Sequence, residues 1–116
     1  MLNLVRFRDR AHYADGRDAT GADAYRAYAA ASAPIFVRVG GRQQWIGRFE
    51  ATLIGPSDER WDAIFIAAYP SVAAFVEMIR DPIYRAAVVH RQAAVETSRL
   101  IRLAPRDAGS RFGSEA

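Results

Sequence analysis

Apolar and polar positions along this chain divide it into six elements. Residues 2–8 (LNLVRFR) read as a short strand, and residues 9–21 (DRAHYADGRDATG) are polar and turn-rich, so they read as a loop. From Ala22 onward, Tyr25, Tyr28, Ala29, Ile35, Phe36 and Val39 recur at helical spacings. That face predicts a helix, bent near Pro34 and stopped by Gly40-Gly41. Residues 43–54 set Trp45, Phe49, Ala51 and Leu53 against Arg48, Glu50 and Thr52, the period-two pattern of a strand, with Gly47 as a candidate bulge.

A Gly-Pro-Ser-Asp-Glu turn at residues 55–59 leads into a returning strand, residues 61–69 (WDAIFIAAY). Pro70 ends it, and Ser71 is placed to cap a helix whose apolar stripe is Val72, Phe75, Val76 and Ile79. Asp81-Pro82 predicts a stop and restart: aspartate caps the new segment, and proline takes the first helical position, where its missing N–H costs nothing. The restarted helix is expected over residues 83–97 and a last strand over residues 99–103. Residues 105–116 form a Gly/Ser-containing tail, expected to be loose or laid on a neighbour.

Strand, helix, strand, strand, helix, strand is the order of an α+β, ferredoxin-like βαββαβ fold. Residues 1–104 then make one domain, with two helical units on one face of a four-stranded antiparallel sheet. The other face of such a sheet should be polar. Both alternating sets of the third strand are instead largely apolar: Trp61, Ala63, Phe65, Ala67 and Tyr69 against Asp62, Ile64, Ile66 and Ala68. An apolar open face predicts a homodimer built through the sheets.

Composition narrows the classes. No cysteine is present, which excludes disulfides and thiolate metal sites. The start carries no signal-peptide pattern and no apolar run approaches the ~20 residues that span a bilayer, so a cytoplasmic location is expected. The net charge is +3, but all sixteen basic residues are arginines scattered singly among thirteen acids. That is a solvated surface rather than a nucleic-acid footprint. Residues 61–69 also lack the basic residue and glycines of an RNA-binding sheet.

The segments MLNLVRFRDRAHY, GADAYRAY, VGG, WIGR, LIGP, ERWD, YPSVAAF and DPIYRAAVVHRQAAVETSRLI together resemble the bacterial family known as domain of unknown function 1330. The resemblance spans nearly all of residues 1–104. It implies membership of the dimeric α/β-barrel superfamily, in which two ferredoxin-like protomers close their sheets into a barrel. It brings no assigned reaction. The wider superfamily contains cofactor-free monooxygenases, haem-degrading enzymes, small-acid isomerases and ligand-sensing domains, and shared fold does not choose among them.

On the restarted helix, a wheel of 100° per residue centres the sheet-facing direction on Ile83, Ala87 and Ala94, and puts His90 within about 40° of it. An imidazole between two alanines is the candidate catalytic acid or base; a histidine satisfied within the core is the competing explanation. Arg6, Arg91 and Arg99 are candidates to bind a carboxylate through the guanidinium fork. A structural alternative pairs Arg6 with Asp62. Asn3 and Tyr69, near one end of the sheet, and Trp61 complete the candidate substrate-binding set, Asn3 as a group that could orient an oxygen. Trp45, Tyr25 and Tyr28 read as core or interface.

There is no Gly-rich phosphate loop, HExxH or GxSxG motif, and two histidines cannot build a multi-histidine metal site within one protomer. No metal or cofactor is assigned. Asn3, Trp61 and His90 are residue types that haem-degrading relatives use, but the Trp-to-His spacing here is much longer. Two readings follow. One is a small-molecule enzyme, monooxygenase-like or isomerase-like, acting on a small organic acid or aromatic compound. The other is a non-catalytic ligand-binding or structural dimer.

Overall fold

The structure, a computed structural model, describes residues 1–109 and 111–113. The elements are β1 (Leu2–Phe7), α1 (Gly21–Arg38), β2 (Arg42–Gly47), β3 (Ala63–Ala68), α2 (Val72–Arg80), α3 (Pro82–Ala94) and β4 (Val95–Ile101). The strands form one antiparallel sheet in the order β2-β3-β1-β4, giving the expected ferredoxin-like βαββαβ arrangement. No described helix is long and apolar enough to cross a membrane.

Local chemistry sets the helix ends. Thr20 caps α1 by accepting from the Asp23 amide at 3.0 Å. At its other end Gly40, at φ +87°, donates to the Val37 carbonyl and Gly41 to the Phe36 carbonyl, the paired bonds of a glycine-terminated helix. Pro34 lies inside α1 without ending it. Ser71 Oγ accepts from Ala74 N at 3.1 Å. Asp81 Oδ1 accepts from Ile83 N at 2.7 Å and Tyr84 N at 3.3 Å, while Oδ2 pairs with Arg38 at 2.9 Å. The break at Asp81-Pro82 therefore separates α2 from α3, and Asp81 also ties both to α1.

Register sorts the sheet into two faces. Val5 lies opposite Ala63 and Ser98, and Asn3 opposite Phe65 and Leu100. This is the helix-covered face: Val5 is fully buried, and Phe7 packs on Tyr25 of α1 with ring centroids 4.9 Å apart. Leu2 pairs with Ile66 and Ile101, and Leu4 with Ile64 and Arg99, on the opposite face. Trp45 joins them opposite Ile66, and its ring lies over Gly47, where a Cβ would strike it. The open face is thus apolar in the middle, and Trp45 and Ile101 on it are exposed.

Four expectations are corrected. The second strand ends at Gly47 rather than Ile54, because β3, its ladder partner, starts only at Ala63. The irregularity in β2 falls between Gln43 and Trp45, not at Gly47. On α2 the buried residues are Ala74 and Met78, with Phe75 beside them, while Val72 and Ile79 are exposed. Both arcs of α2 are apolar, and fit against Ile35 and Val39 of α1 selects one. Finally, α3 ends at Ala94 and β4 begins at Val95, three residues earlier than expected for the helix. No glycine marks this end. The Arg8 and His12 amides take the Ala94 and Ala93 carbonyls at 2.8 and 2.9 Å, and β1 receives the chain as a strand.

Candidate functional site

The buried apolar residues between helices and sheet are Val5, Ile35, Val39 and Met78 together with several alanines. Half-buried aromatics lie beside them in the same layer. Phe7, Tyr25, Tyr28 and Tyr84 form a continuous run, with centroid separations of 4.9, 5.4 and 6.1 Å. Phe36, Tyr69 and Phe75 form a second, at 5.5 and 5.2 Å. Tyr69 and Tyr84 both pack on the cluster of Ile35, Val39, Ala74 and Met78, which joins the two runs.

The hydroxyls give this aromatic layer its chemistry. Tyr28 and Tyr84 share a hydrogen bond of 2.8 Å between α1 and α3. Arg91, two turns beyond Tyr84 on the same face of α3, donates to Ser98 Oγ of β4 at 3.2 Å. Burial pushes all three shifted phenols upward: Tyr25 is raised, Tyr28 is raised far more with help from its bond to Tyr84, and Tyr69 is pushed up to about 12. Arg91 is close enough to oppose the rise at Tyr25 and Tyr28. At neutral pH these phenols are neutral donors, and two of them, Tyr25 and Tyr28, lie close to the Arg91 guanidinium. Neutral hydroxyl donors beside a guanidinium are groups that can hydrogen-bond an oxyanion, and aromatic faces can stack on planar groups.

The sequence-predicted residues do not form one site. Asn3, Tyr69 and Arg91 lie on the helix side of the sheet. The Asn3 amide donates to the Met1 carbonyl at 3.1 Å, the backbone-satisfying role. Arg6 and Arg99 belong to the opposite face. Arg6 lies 3.1 Å from Glu96, not on Asp62; the latter accepts from the Phe7 amide at 2.7 Å. The helix expected to carry Glu96 has already become β4 there, and the extra residue at the β1–β4 irregularity brings the acid to Arg6. The Arg99 guanidinium sits 6.0 Å from the Trp61 ring and donates to the Ser98 carbonyl at 2.8 Å.

His90 does not point at the sheet. Its Nδ1 is 2.6 Å from Tyr13 Oη, in the loop between β1 and α1, with the rings edge to face. The Arg17 guanidinium covers that tyrosine at 4.2 Å, and Asp15, held down at about 2 by its bonds to Arg17, fixes the turn. The wheel placed Ala87 and Ala94 correctly as buried, but Ile83 is exposed and the sheet-directed edge of α3 is the one bearing Tyr84 and Arg91. Asn3, Trp61 and His90 are each engaged with a different partner in a different place, so they do not assemble the haem-holding set that the resemblance raised. Among the described residues no group of three His, Cys, Asp or Glu side chains is placed to hold a metal ion.

Sequence reasoning missed Tyr25, Tyr28 and Tyr84 as functional candidates. Tyr25 and Tyr28 are three residues apart, and Tyr84 and Arg91 seven apart, so each pair shares a helix face. That the two faces meet is a fact of α1–α3 packing.

Comparison with known proteins agrees with this fold and leaves the chemistry open. No curated protein matches the chain. The crystal structure of RPA0582, a protein of unknown function from Rhodopseudomonas palustris, is 65% identical, with a TM-score of 0.90; the match covers 92% of this chain and 81% of that one. The structure of methylated RPA0582 is 67% identical, with a TM-score of 0.92, over 93% of this chain and 80% of that one. The profile of the domain of unknown function DUF1330 matches residues 6–102, and the chain belongs to that family.

Proposed function

We propose that the protein is a homodimer that binds a small, planar, anionic organic compound, such as an aromatic carboxylate, between its helix layer and its sheet. The observation that carries this reading is the half-buried set of Tyr25, Tyr28 and Tyr84, with Arg91 close to Tyr25 and Tyr28. Here the rings keep accessible surface, and their hydroxyls and one cation supply a few fixed polar groups, the make-up of a small-ligand site.

Binding is favoured over catalysis by what the set contains. Neutral phenols, a guanidinium, the Ser98 hydroxyl and the Asn3 amide donate hydrogen bonds, but none is a general base at neutral pH. The monooxygenase-like or isomerase-like reading relied on His90, whose Nδ1 is engaged by Tyr13.

The dimer reading rests on the open face. Leu2, Leu4, Ile64, Ile66, Ile101 and Trp45 share it, and covering each such side chain fully is worth roughly 1.5–3 kcal/mol. Sheet-to-sheet stacking of two copies is the simplest cover. Native mass spectrometry of the purified protein tests both parts. The expected spectrum is a species of twice the chain mass, gaining one or two ligand masses when benzoate is added. A monomer, or a dimer that takes up no aromatic acid from a panel of benzoate, salicylate and phenylacetate, would overturn the corresponding half.

A further inference from the structure

One end of the open sheet face gathers more positive charge than the chain neutralises there. Arg6 of β1 lies opposite Thr97 of β4, and Arg99 lies opposite Leu4. The two arginines are therefore diagonal neighbours on one face, with backbones about 7–8 Å apart. Arg8 follows Arg6 by two residues, the spacing that shares a face in extended chain, and its amide carries the pairing on by bonding the Ala94 carbonyl at 2.8 Å. The acids at this end are Glu96 and Asp62, two carboxylates against three guanidiniums, and Asp62 already accepts from the Phe7 amide at 2.7 Å.

None of the three guanidiniums is well partnered. Arg6 approaches Glu96 through Nε at 3.1 Å, but without hydrogen-bond geometry, and that nitrogen is closed to solvent. The Nε of Arg8 is closed to solvent as well, and among the described residues its guanidinium makes no hydrogen bond or ion pair. Arg99 bonds only neutral oxygens, Thr97 Oγ1 at 3.4 Å and the Ser98 carbonyl at 2.8 Å, with the Trp61 ring 6.0 Å away. Charged nitrogen shut away from water with no acceptor is unfavourable, and native chains hold few such groups. Like charges set side by side on a sheet add repulsion.

We infer that Arg6, Arg8 and Arg99 form a binding site for a phosphate group, presented as inorganic phosphate or as a phosphomonoester. A tetrahedral oxyanion offers acceptors in several directions, as three guanidinium forks arriving from two strands require. A carboxylate offers two oxygens in one plane. The charge of a monoester at pH 7, about −1.5 to −2, offsets the excess cation. Leu4 and the Trp61 ring border the cluster and give the organic part of an ester an apolar surface. This site lies across the sheet from the tyrosine layer, is built within one chain, and depends on neither the aromatic-acid reading nor the dimer.

Isothermal titration of the native protein with inorganic phosphate and with phenyl phosphate, in chloride buffer of fixed ionic strength, tests it. Saturable binding at one site per chain is expected. Tighter binding of phenyl phosphate identifies a monoester as the ligand, and equal affinities identify free phosphate. Arg99→Gln, at an exposed position, should weaken both compounds about tenfold or more, and so should Arg8→Gln. Arg85→Gln removes the same charge from an exposed position on α3 and should leave both affinities unchanged. Circular dichroism checks that each variant keeps the fold. No saturable binding of either compound, or native affinity in Arg99→Gln, overturns the site. Equal losses in Arg99→Gln and Arg85→Gln also overturn it, because they would reduce the effect to net charge.

Discussion

Replacing Gly21 with alanine is expected to lower Tm by roughly 5–15 °C, the equivalent of about 1–3 kcal/mol of overpacking in a domain of this size. The cause is backbone against backbone. A Cβ at Gly21 would overlap the Arg8 carbonyl oxygen and come within 2.9 Å of the Arg8 carbonyl carbon and amide nitrogen. No side-chain rotation relieves that contact, so either α1 or the end of β1 must shift. Gly21 is the first residue of α1, and its amide reaches the Asp9 carbonyl at 3.4 Å beside the Arg10–Thr20 bridge. It therefore sets how closely α1 approaches the sheet, and with it where Tyr25 and Tyr28 stand. Thermal unfolding followed by circular dichroism measures the effect. A Tm within 2 °C of the native value would show that the approach is looser than described and that Gly21 does not position the aromatic layer.

The second large effect is on binding. Arg91→Gln is expected to weaken an aromatic carboxylate by about 10- to 100-fold, the scale of one lost charge-assisted hydrogen bond of 1.5–3 kcal/mol. Glutamine still reaches toward Ser98 Oγ and fills similar space, so the fold and the dimer should be retained. Tyr28→Phe, which removes one partner of the 2.8 Å hydroxyl pair, should weaken binding less, because the neighbouring phenols remain. His90→Ala should leave the affinity unchanged, since His90 faces Tyr13 outside this layer. Isothermal titration with benzoate gives all three values. Equal affinities for the native and Arg91→Gln proteins would remove the guanidinium from the site.

The parts of this fold that could be read from the sequence are those fixed by neighbours along the chain. Gly40-Gly41, Ser71 and Asp81-Pro82 each end or start a helix through bonds reaching only a few residues, and each does so here. The boundaries that were misplaced depend on distant segments. Whether residues 48–54 join a ladder depends on where β3 begins, and whether residues 95–97 continue α3 depends on β1 lying alongside. The candidate site divides in the same way. Tyr69 and Arg91 were visible as polar groups near a sheet end and on a helix flank. Arg6 and Arg99 were grouped with them because proximity along a strand is legible, whereas the side of the sheet depends on a register set by β3 and β4. His90 was aimed at the sheet, and its ring meets Tyr13 instead. Its actual partner comes from residues 9–20, a loop whose sequence carries no periodicity to announce that it packs there.

The most direct measurement uses the fact that the chain has five tyrosines, four of them in the proposed ligand layer and one, Tyr13, with His90 in the loop. In protein carrying ring-13C tyrosine, assigned by single Tyr→Phe substitutions, a benzoate titration followed by NMR should move the Tyr25, Tyr28, Tyr69 and Tyr84 resonances together along one saturating curve, with Tyr13 unmoved. Movement of Tyr13 alone would relocate the site to the His90 loop, and no saturable movement of any ring would contradict a ligand site between the helices and the sheet.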